Sequence, residues 1–419
     1  MISHSVPISV WVLIALCSAA SLYATLVALV HPGWRTSTIR SRRNDVDTQE
    51  RVHGSVSVLK PLCGAEPRLY ENLATFCTQT HPSYQLLFGV ASETDPAARE
   101  VRKLMRAYPQ LAIELVVDAT PHGRNRKVSN LINLAARARH DVFVIADSDI
   151  AVEPDYLMRV TAPLADANVG VVTCLYRGRR VGGFWARMGV LFIDKWFAPS
   201  VYLAKTLGVQ AFGFGATIAV RRDVLLKSGG LEALRDCLAD DYWLAERVRL
   251  LGLRTVLSDV VVTTDVIERG LPALWRRETR WLRTIRSVNR PGFASLCITI
   301  TTPWLLASAL LSFGFDSSGT DFTQATADTL VDLSTSFGLS ARLLLHWRSA
   351  RSARRFWRDL PLIPVRDALL LIEWCAACFG SSVLWRDARV PLRASRTTDD
   401  VCEQNSAAVA SGSDAHDGR

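Results

Sequence analysis

The sequence predicts an α/β domain, built as a mostly parallel sheet between helices, carried between membrane segments at its N-terminal and C-terminal ends. Three observations predict it. Strand-like and helix-like stretches alternate from residue 55 to 146, an uncharged apolar run covers Ile8 to Val30, and a second one covers Phe293 to Phe315. Such alternation places helices on both faces of a parallel sheet, whose ligands bind beyond the carboxyl ends of the strands.

The membrane segments come first in the chain. At ~1.5 Å rise per residue, Ile8 to Val30 can cross a hydrocarbon core of roughly 30 Å. No Lys or Arg precedes it, whereas Arg35, Arg40, Arg42, Arg43 and Arg51 follow. That asymmetry disfavours a cleaved signal peptide and predicts a retained anchor over 1–33 with its C-terminal side in the cytoplasm. Residues 34–54 are polar and lack apolar periodicity, as a linker does. Phe293 to Phe315 holds Pro303 but no charge, and is expected to span. Leu330 to Trp347 carries Asp332 and Arg342, and Pro361 to Trp385 carries Arg366, Asp367 and Glu373, so both are weaker spans. The acidic stretch Asp316 to Asp328 and the five arginines of Arg348 to Arg358 predict that the former faces outward. Basic residues Arg386, Arg389, Arg393 and Arg396 conflict with a simple fourth crossing, which leaves a re-entrant or interfacial path open. Residues 291–396 therefore read as a C-terminal membrane region, and 397–419, rich in Ser, Ala, Asp and Gly, as a disordered tail.

A net charge of +9 is compatible with nucleic acid, but the arginines crowd beside apolar segments, with no basic stripe interleaved with aromatics. Anionic lipid headgroups account for them better. Nine scattered cysteines, with no zinc-ligand spacing, read as thiols of a cytoplasmic protein.

Within 55–290, Ser55 to Leu59, Gln85 to Val90, Ile113 to Val117 and Asp141 to Ala146 are strand candidates. Helices fit near Pro67 to Thr78, from Lys127 to Ala138, and from about Leu238 to Leu251.

The carboxylates carry the functional argument. Asp147-Ser148-Asp149 follows a buried strand, where two like charges at i and i+2 call for a cation. Mg²⁺ or Mn²⁺ suits oxygen ligands and can bridge a carboxylate to a diphosphate. A solvated turn, with Asp149 capping the helix after Pro154, is the competing assignment. Asp95, in Ser92-Glu-Thr-Asp-Pro96, fits either a contact to a nucleobase or ribose or a turn before proline. Arg124, Arg126 and Lys127 enter a helix, where a phosphate or plain solvent suits them. Asp240 and Asp241 begin a helical stretch, and capping explains only one of them. Asp241 fits a general base for attack on an anomeric carbon opposite a departing diphosphate. Arg277, Arg280 and Trp281 share one helical face, open to an anionic ligand or to lipid headgroups.

Together these motifs resemble the ceramide glucosyltransferase-like family of inverting GT-A glycosyltransferases, whose pattern is D, D, D, then (Q/R)xxRW. The match covers roughly residues 55 to 290. The family's aspartates fall on Asp95, Asp147 and Asp241, its last motif on Arg277, Arg280 and Trp281, and its phosphate-side lysine on Lys127 within Asn125-Arg-Lys-Val-Ser-Asn-Leu131. Lys60-Pro-Leu62, Gly213-Phe-Gly215 and Val383-Leu-Trp-Arg386 add to it. The resemblance implies a GT-A fold, a uridine diphosphate (UDP) sugar donor, a divalent cation, a lipid acceptor, Asp241 as general base, Asp95 holding the nucleotide, and Asp149 as metal ligand beside Asp147. Animal ceramide enzymes have histidine before proline where this chain has Ala198-Pro199. Bacterial relatives linked to hopanoid biosynthesis are similar at 146–149, 239–242 and 282–286, which implies N-acetylglucosamine or glucose passing to a polycyclic lipid alcohol in the bacterial inner membrane. Three alternatives are a ceramide glucosyltransferase, a processive polysaccharide synthase, which needs a channel that four spans at most do not supply, and a non-catalytic scaffold.

Overall fold

The computed structural model describes residues 7–32, 54–314, 322–350, 352–380, 382–385 and 388–391. Residues 34–53 of the expected linker, the tail, residues 316–321 of the acidic stretch and Arg386, Arg393 and Arg396 fall outside them. The chain forms two compact units.

The first lies within Arg43–Val181, Val209–Ile267 and Ser381–Arg419. Its eight strands are β1 (Val56–Pro61), β2 (Tyr84–Val90), β3 (Ala112–Val117), β4 (Val142–Ala146), β5 (Ile150–Ala151), β6 (Val169–Arg180), β7 (Thr217–Arg221) and β8 (Arg254–Val266), in the order β3-β2-β1-β4-β7-β6-β8-β5. The four strands expected from the sequence form the parallel half, with Val58 opposite Leu86 on one side and Val144 on the other. They read as nearly continuous apolar runs because both faces are covered. Val58, Phe88, Val144 and Val172 share one core with Leu73 and Phe76 of helix Leu69–Phe76 and Leu104 of helix Pro96–Ala107.

The other half is mixed, within a sheet whose pairings are mostly parallel as expected. β7 is antiparallel to both β4 and β6, and β5 is antiparallel to β8, while β6 and β8 are parallel. Gly170 and the polar Arg177-Gly-Arg-Arg180 end interrupt the hydrophobic pattern of β6, and its register against β8 shifts twice. A strand irregular in both respects offers no clean alternation. A hairpin of Ser382–Trp385 and Ala388–Pro391 also belongs to this unit.

The second unit comprises Met1–Arg42, Gly182–Gly208 and Glu268–Gly380, so residues 182–208 and 268–290 group with the apolar helices rather than with the sheet. Helix Ile8–Val30 is long and apolar enough to cross a membrane. It packs through Ala24, Val27 and Ala28 on Ala341 and Leu345 of helix Phe322–Arg348. The expected second span is broken: helices Arg290–Thr299 and Thr301–Leu311 meet at 52°. Pro303 accounts for the break, because its ring would clash with the carbonyl of Thr299 in a continuous helix. The expected fourth run is helix Leu362–Cys378, which ends before the hairpin. Its charges are buried and paired: Asp367 accepts from Arg342 at 2.6 Å and from the Thr302 hydroxyl at 2.5 Å, and Arg366 lies between Glu278 and Glu373. Ionisable groups in apolar surroundings persist only with such partners.

Candidate active site

Parallel strands β1, β2 and β4 deliver the segments beyond their C-terminal ends to one edge of the sheet. β7 runs the other way, so the segment before it, Gly213-Phe-Gly215, reaches the same edge, where the Asp147 amide donates to the Ala216 carbonyl at 3.3 Å. The turn after β4 is held from several directions. Asp147 accepts from Lys127 Nζ at 2.8 Å, Ser148 donates to Glu66 at 3.4 Å, and Asp149 accepts from the Thr264 hydroxyl at 2.7 Å. β5 then pairs with β8, and the Asp265 amide donates to the Asp149 carbonyl at 3.2 Å.

Lys127 sits in the first turn of helix Arg126–Ala135, whose start is capped by Asn125 accepting from the Val128 amide at 3.1 Å. The Asn125 amide group also donates to the Cys237 carbonyl at 2.8 Å, and its backbone N–H donates to the Arg235 carbonyl, also at 2.8 Å. Gly123 permits this approach, since a Cβ there would fall 2.6 Å from the Arg235 oxygen. The 123–127 loop is thereby joined to the start of helix Asp240–Leu250, and Lys127 Nζ reaches Asp240 at 3.4 Å. Asp241 accepts from the Gly215 amide at 2.6 Å and from its neighbour's amide, Tyr242 N–H, at 2.9 Å. Lys127, Gly215, Asp240 and Asp241 line one small cavity, floored by Val128, Leu131, Ile145 and Leu244.

The charges are set by this crowding. Burial raises the Asp241 carboxyl to about 6, with the adjacent Asp240 charge adding to it. Burial and the Asp147 charge likewise raise Asp149 to about 6. For Lys127, burial favours the neutral amine, but Asp147 and Asp240 outweigh it and hold the ammonium above its ordinary range. A divalent cation fits here on chemical grounds. Two close carboxylates, one of them reluctant to ionise, supply hard oxygen donors, and a diphosphate would supply more. Among the described residues no cluster of three or more His, Cys, Asp or Glu could hold a metal ion alone. Asp147 and Asp149 would therefore leave most of a cation's coordination to ligands from outside these side chains.

Asp95, expected to contact the nucleotide, also has a local task. Its carboxylate caps helix Pro96–Ala107 by accepting from Ala97 N–H at 2.8 Å, and both oxygens accept from Gly64 N–H at 2.9 and 3.1 Å. It ties the loop after β1 to the helix after β2, as an aspartate before proline readily does. Arg124 and Arg126 are exposed. Arg277, Arg280 and Trp281 belong to the second unit, on helix Leu271–Val288. Arg277 pairs with Glu268 at 2.5 Å and Glu278 at 3.2 Å, and its guanidinium lies 5.1 Å from the centre of the Trp281 ring. Trp281 in turn rests on Phe192, 5.7 Å between ring centres.

The profile of glycosyl transferase family 21 matches residues 13–398. The chain belongs to this family. Its curated relatives include ceramide glucosyltransferase 1 of Caenorhabditis elegans, 26% identical over 64% of this chain and 57% of the relative. Ceramide glucosyltransferase 3 of the same organism is 25% identical over 54% of this chain and 50% of the relative. The chain thus spans little more than half the length of these relatives. Among solved structures, a mannosyltransferase of Pyrobaculum calidifontis in complex with GDP-Man and Mn²⁺ aligns with 87% of this chain and 98% of its own, at TM-score 0.47 and 18% identity. The mixed sheet between helices is the GT-A-like arrangement of this glycosyltransferase family.

Several residues of this family member's site leave little trace in the sequence. Gly215 is one: it supplies an N–H to Asp241, and a Cβ in its place would stand 3.1 Å from the carboxylate. Thr264, which positions Asp149, and Asp240, which shares Lys127, are others. Lys60 carried a signal: a lysine near the end of a mainly apolar strand is buried against expectation.

Proposed function

We propose that the chain is a membrane-bound inverting glycosyltransferase, which moves a hexose from a UDP-sugar to a hydroxyl of a membrane lipid. The observation that carries the proposal is the convergence of Lys127 with Asp147, Asp240 and Asp241 beside the Asp147-Ser148-Asp149 turn. Asp147 and Asp149 would hold Mg²⁺ or Mn²⁺, which when bound supplies Lewis-acid stabilisation of the leaving diphosphate. Lys127 adds a fixed positive charge toward the phosphates. Asp241, oriented by the Gly215 and Tyr242 amides, takes the proton of the acceptor hydroxyl. The hydroxyl oxygen then forms its bond to the anomeric carbon, while the bond to the diphosphate breaks and its electron pair leaves with UDP. By the family resemblance Asp95 would hold the nucleotide, and Arg277, Arg280 and Trp281 would be catalytic residues.

The apolar helix Ile8–Val30, followed in sequence by arginines, supports a bilayer setting with the sheet unit on the cytoplasmic face of a bacterial inner membrane. The family and the relatives' names support a lipid acceptor and glucose. Ala198, where animal ceramide enzymes carry histidine, and the stretches at 146–149, 239–242 and 282–286 favour a hopanoid acceptor, with N-acetylglucosamine or glucose as the sugar. Ceramide is the second acceptor to test. Purified protein is incubated with labelled UDP-glucose or UDP-N-acetylglucosamine, Mn²⁺, and ceramide, hopanoid, sterol or diacylglycerol. Label is expected in the hopanoid product. Label only in ceramide replaces the acceptor, and label in no lipid refutes the function.

A further inference from the structure

Lys60 is the penultimate residue of β1, and its side chain is among the largest that are fully buried. Its ammonium donates to the Asp147 carbonyl at 2.9 Å and stands 3.7 Å from the centre of the Phe76 ring. The carboxylates whose charge it feels are Asp149, Asp147 and Glu66. Lysine is almost never wholly buried unless paired, and an apolar residue would fill this volume without the desolvation penalty. Burial pushes the Lys60 amine down to about 7 against the pull of those carboxylates, and a polar group kept at that cost marks a requirement of the turn above it. Three anchors secure the rest of that turn: Lys127 on the Asp147 carboxylate, Glu66 on Ser148, and Thr264 with the Asp265 amide on Asp149. The Asp147 backbone is held by its own amide on the Ala216 carbonyl and by the Ile150 amide on its carbonyl, both at 3.3 Å, and Lys60 adds a side-chain donor to that carbonyl from the interior of the sheet.

We propose that Lys60 is a positioning residue, which fixes the Asp147-Ser148-Asp149 turn from beneath so that both carboxylates present their oxygens to a divalent cation bridged to a nucleoside diphosphate. This rests on the reading of that turn as the cation site. Lys60 touches neither donor nor acceptor. Its contribution lies in coupling, because a turn that must be organised on binding weakens cation and diphosphate together while leaving the nucleotide's other contacts alone.

The test uses the full chain in detergent, with UDP titrated calorimetrically with and without Mn²⁺. In the unmodified protein Mn²⁺ is expected to tighten UDP binding strongly. Lys60→Met is expected to lose about 10- to 100-fold of that enhancement, the scale of a hydrogen bond to a charged group. Its affinity without Mn²⁺ should change less than about twofold, and its thermal midpoint should hold or rise, since a desolvated polar group has been replaced by an apolar one. A purely structural lysine would do the reverse, lowering the midpoint and sparing the enhancement, and that result overturns the proposal. Should the Met variant fail to fold, Lys60→Gln, which stays polar but is one bond too short to keep the 2.9 Å contact in place, decides: unchanged Mn²⁺ enhancement refutes the role, and partial loss supports it. If Mn²⁺ does not tighten UDP in the unmodified protein, the cation reading itself falls, and Lys60 with it.

Discussion

Replacing Asp241 by asparagine is the sharpest perturbation of the proposed chemistry. The carboxylate is clamped between the Gly215 and Tyr242 amides, so asparagine keeps the shape of the group but turns an NH₂ toward one of those donors and abolishes the proton acceptor. Loss of a general base lowers turnover by about 10²- to 10⁴-fold, or about 3–5 kcal/mol of barrier. Binding of UDP with Mn²⁺ should change by less than about threefold. The unmodified enzyme carries a second signature. With the carboxyl at about 6, burial first and Asp240 second, roughly nine-tenths of it is ionised at pH 7 and roughly one-tenth at pH 5. At saturating Mn²⁺, kcat/KM should therefore fall about tenfold between pH 7 and pH 5. A base at the ordinary aspartate value would lose almost nothing over that range. The assay is transfer of labelled sugar into extractable lipid, with UDP binding measured in parallel. Turnover within fivefold of the unmodified enzyme, or a flat profile down to pH 5, would refute Asp241 as the base.

Gly215→Ala places a methyl 3.1 Å from Asp241 and 3.5 Å from Lys127 Nζ, and should reduce turnover at least about tenfold without loss of the circular-dichroism signal; unimpaired transfer would show that this approach is dispensable. Asp149→Asn should abolish the Mn²⁺ dependence of UDP binding while stabilising the fold at neutral pH. The sign comes from the raised carboxyl: the stability it permits is complete near pH 4 and declines as pH climbs through about 6. The melting difference between the Asp149→Asn variant and its parent should accordingly widen from pH 4 to pH 7, to at most about 3 kcal/mol, and a constant difference contradicts the assignment. Arg366→Met leaves Glu278 and Glu373 buried together without their shared cation, and should destabilise the second unit by about 3–5 kcal/mol; thermal unfolding in detergent reads this directly.

How far the sequence discloses this molecule depends on the kind of signal each residue leaves. β1, β2, β3 and β4 are visible because parallel strands covered on both faces are written as apolar runs. β6 and β8 are not, since glycine, arginines and register shifts break their pattern and their partners lie some 80 residues apart. Asp147, Asp149, Asp241 and Lys127 stand out as charges placed where a buried strand or helix begins or ends, and such charges need partners. Asp95 is ambiguous in sequence because Asp-Pro serves a cap and a ligand contact equally; the cap and the Gly64 contact become visible only once the loop after β1 is in place. Gly215 and Lys60 act through neighbours distant in the chain, so their roles require the assembled sheet. The apolar run from Phe293 is long enough to span, yet Pro303 bends it, a local effect that composition alone does not weigh.

The most direct test of the central claim is the position of Mn²⁺ in crystals of the protein grown with UDP, located by anomalous diffraction. The ion is expected in direct coordination with the Asp147 and Asp149 carboxylates and with oxygens of the diphosphate, on the side of the cavity that Asp241 lines. A Mn²⁺ ion bound away from both carboxylates, with the diphosphate elsewhere, would contradict it.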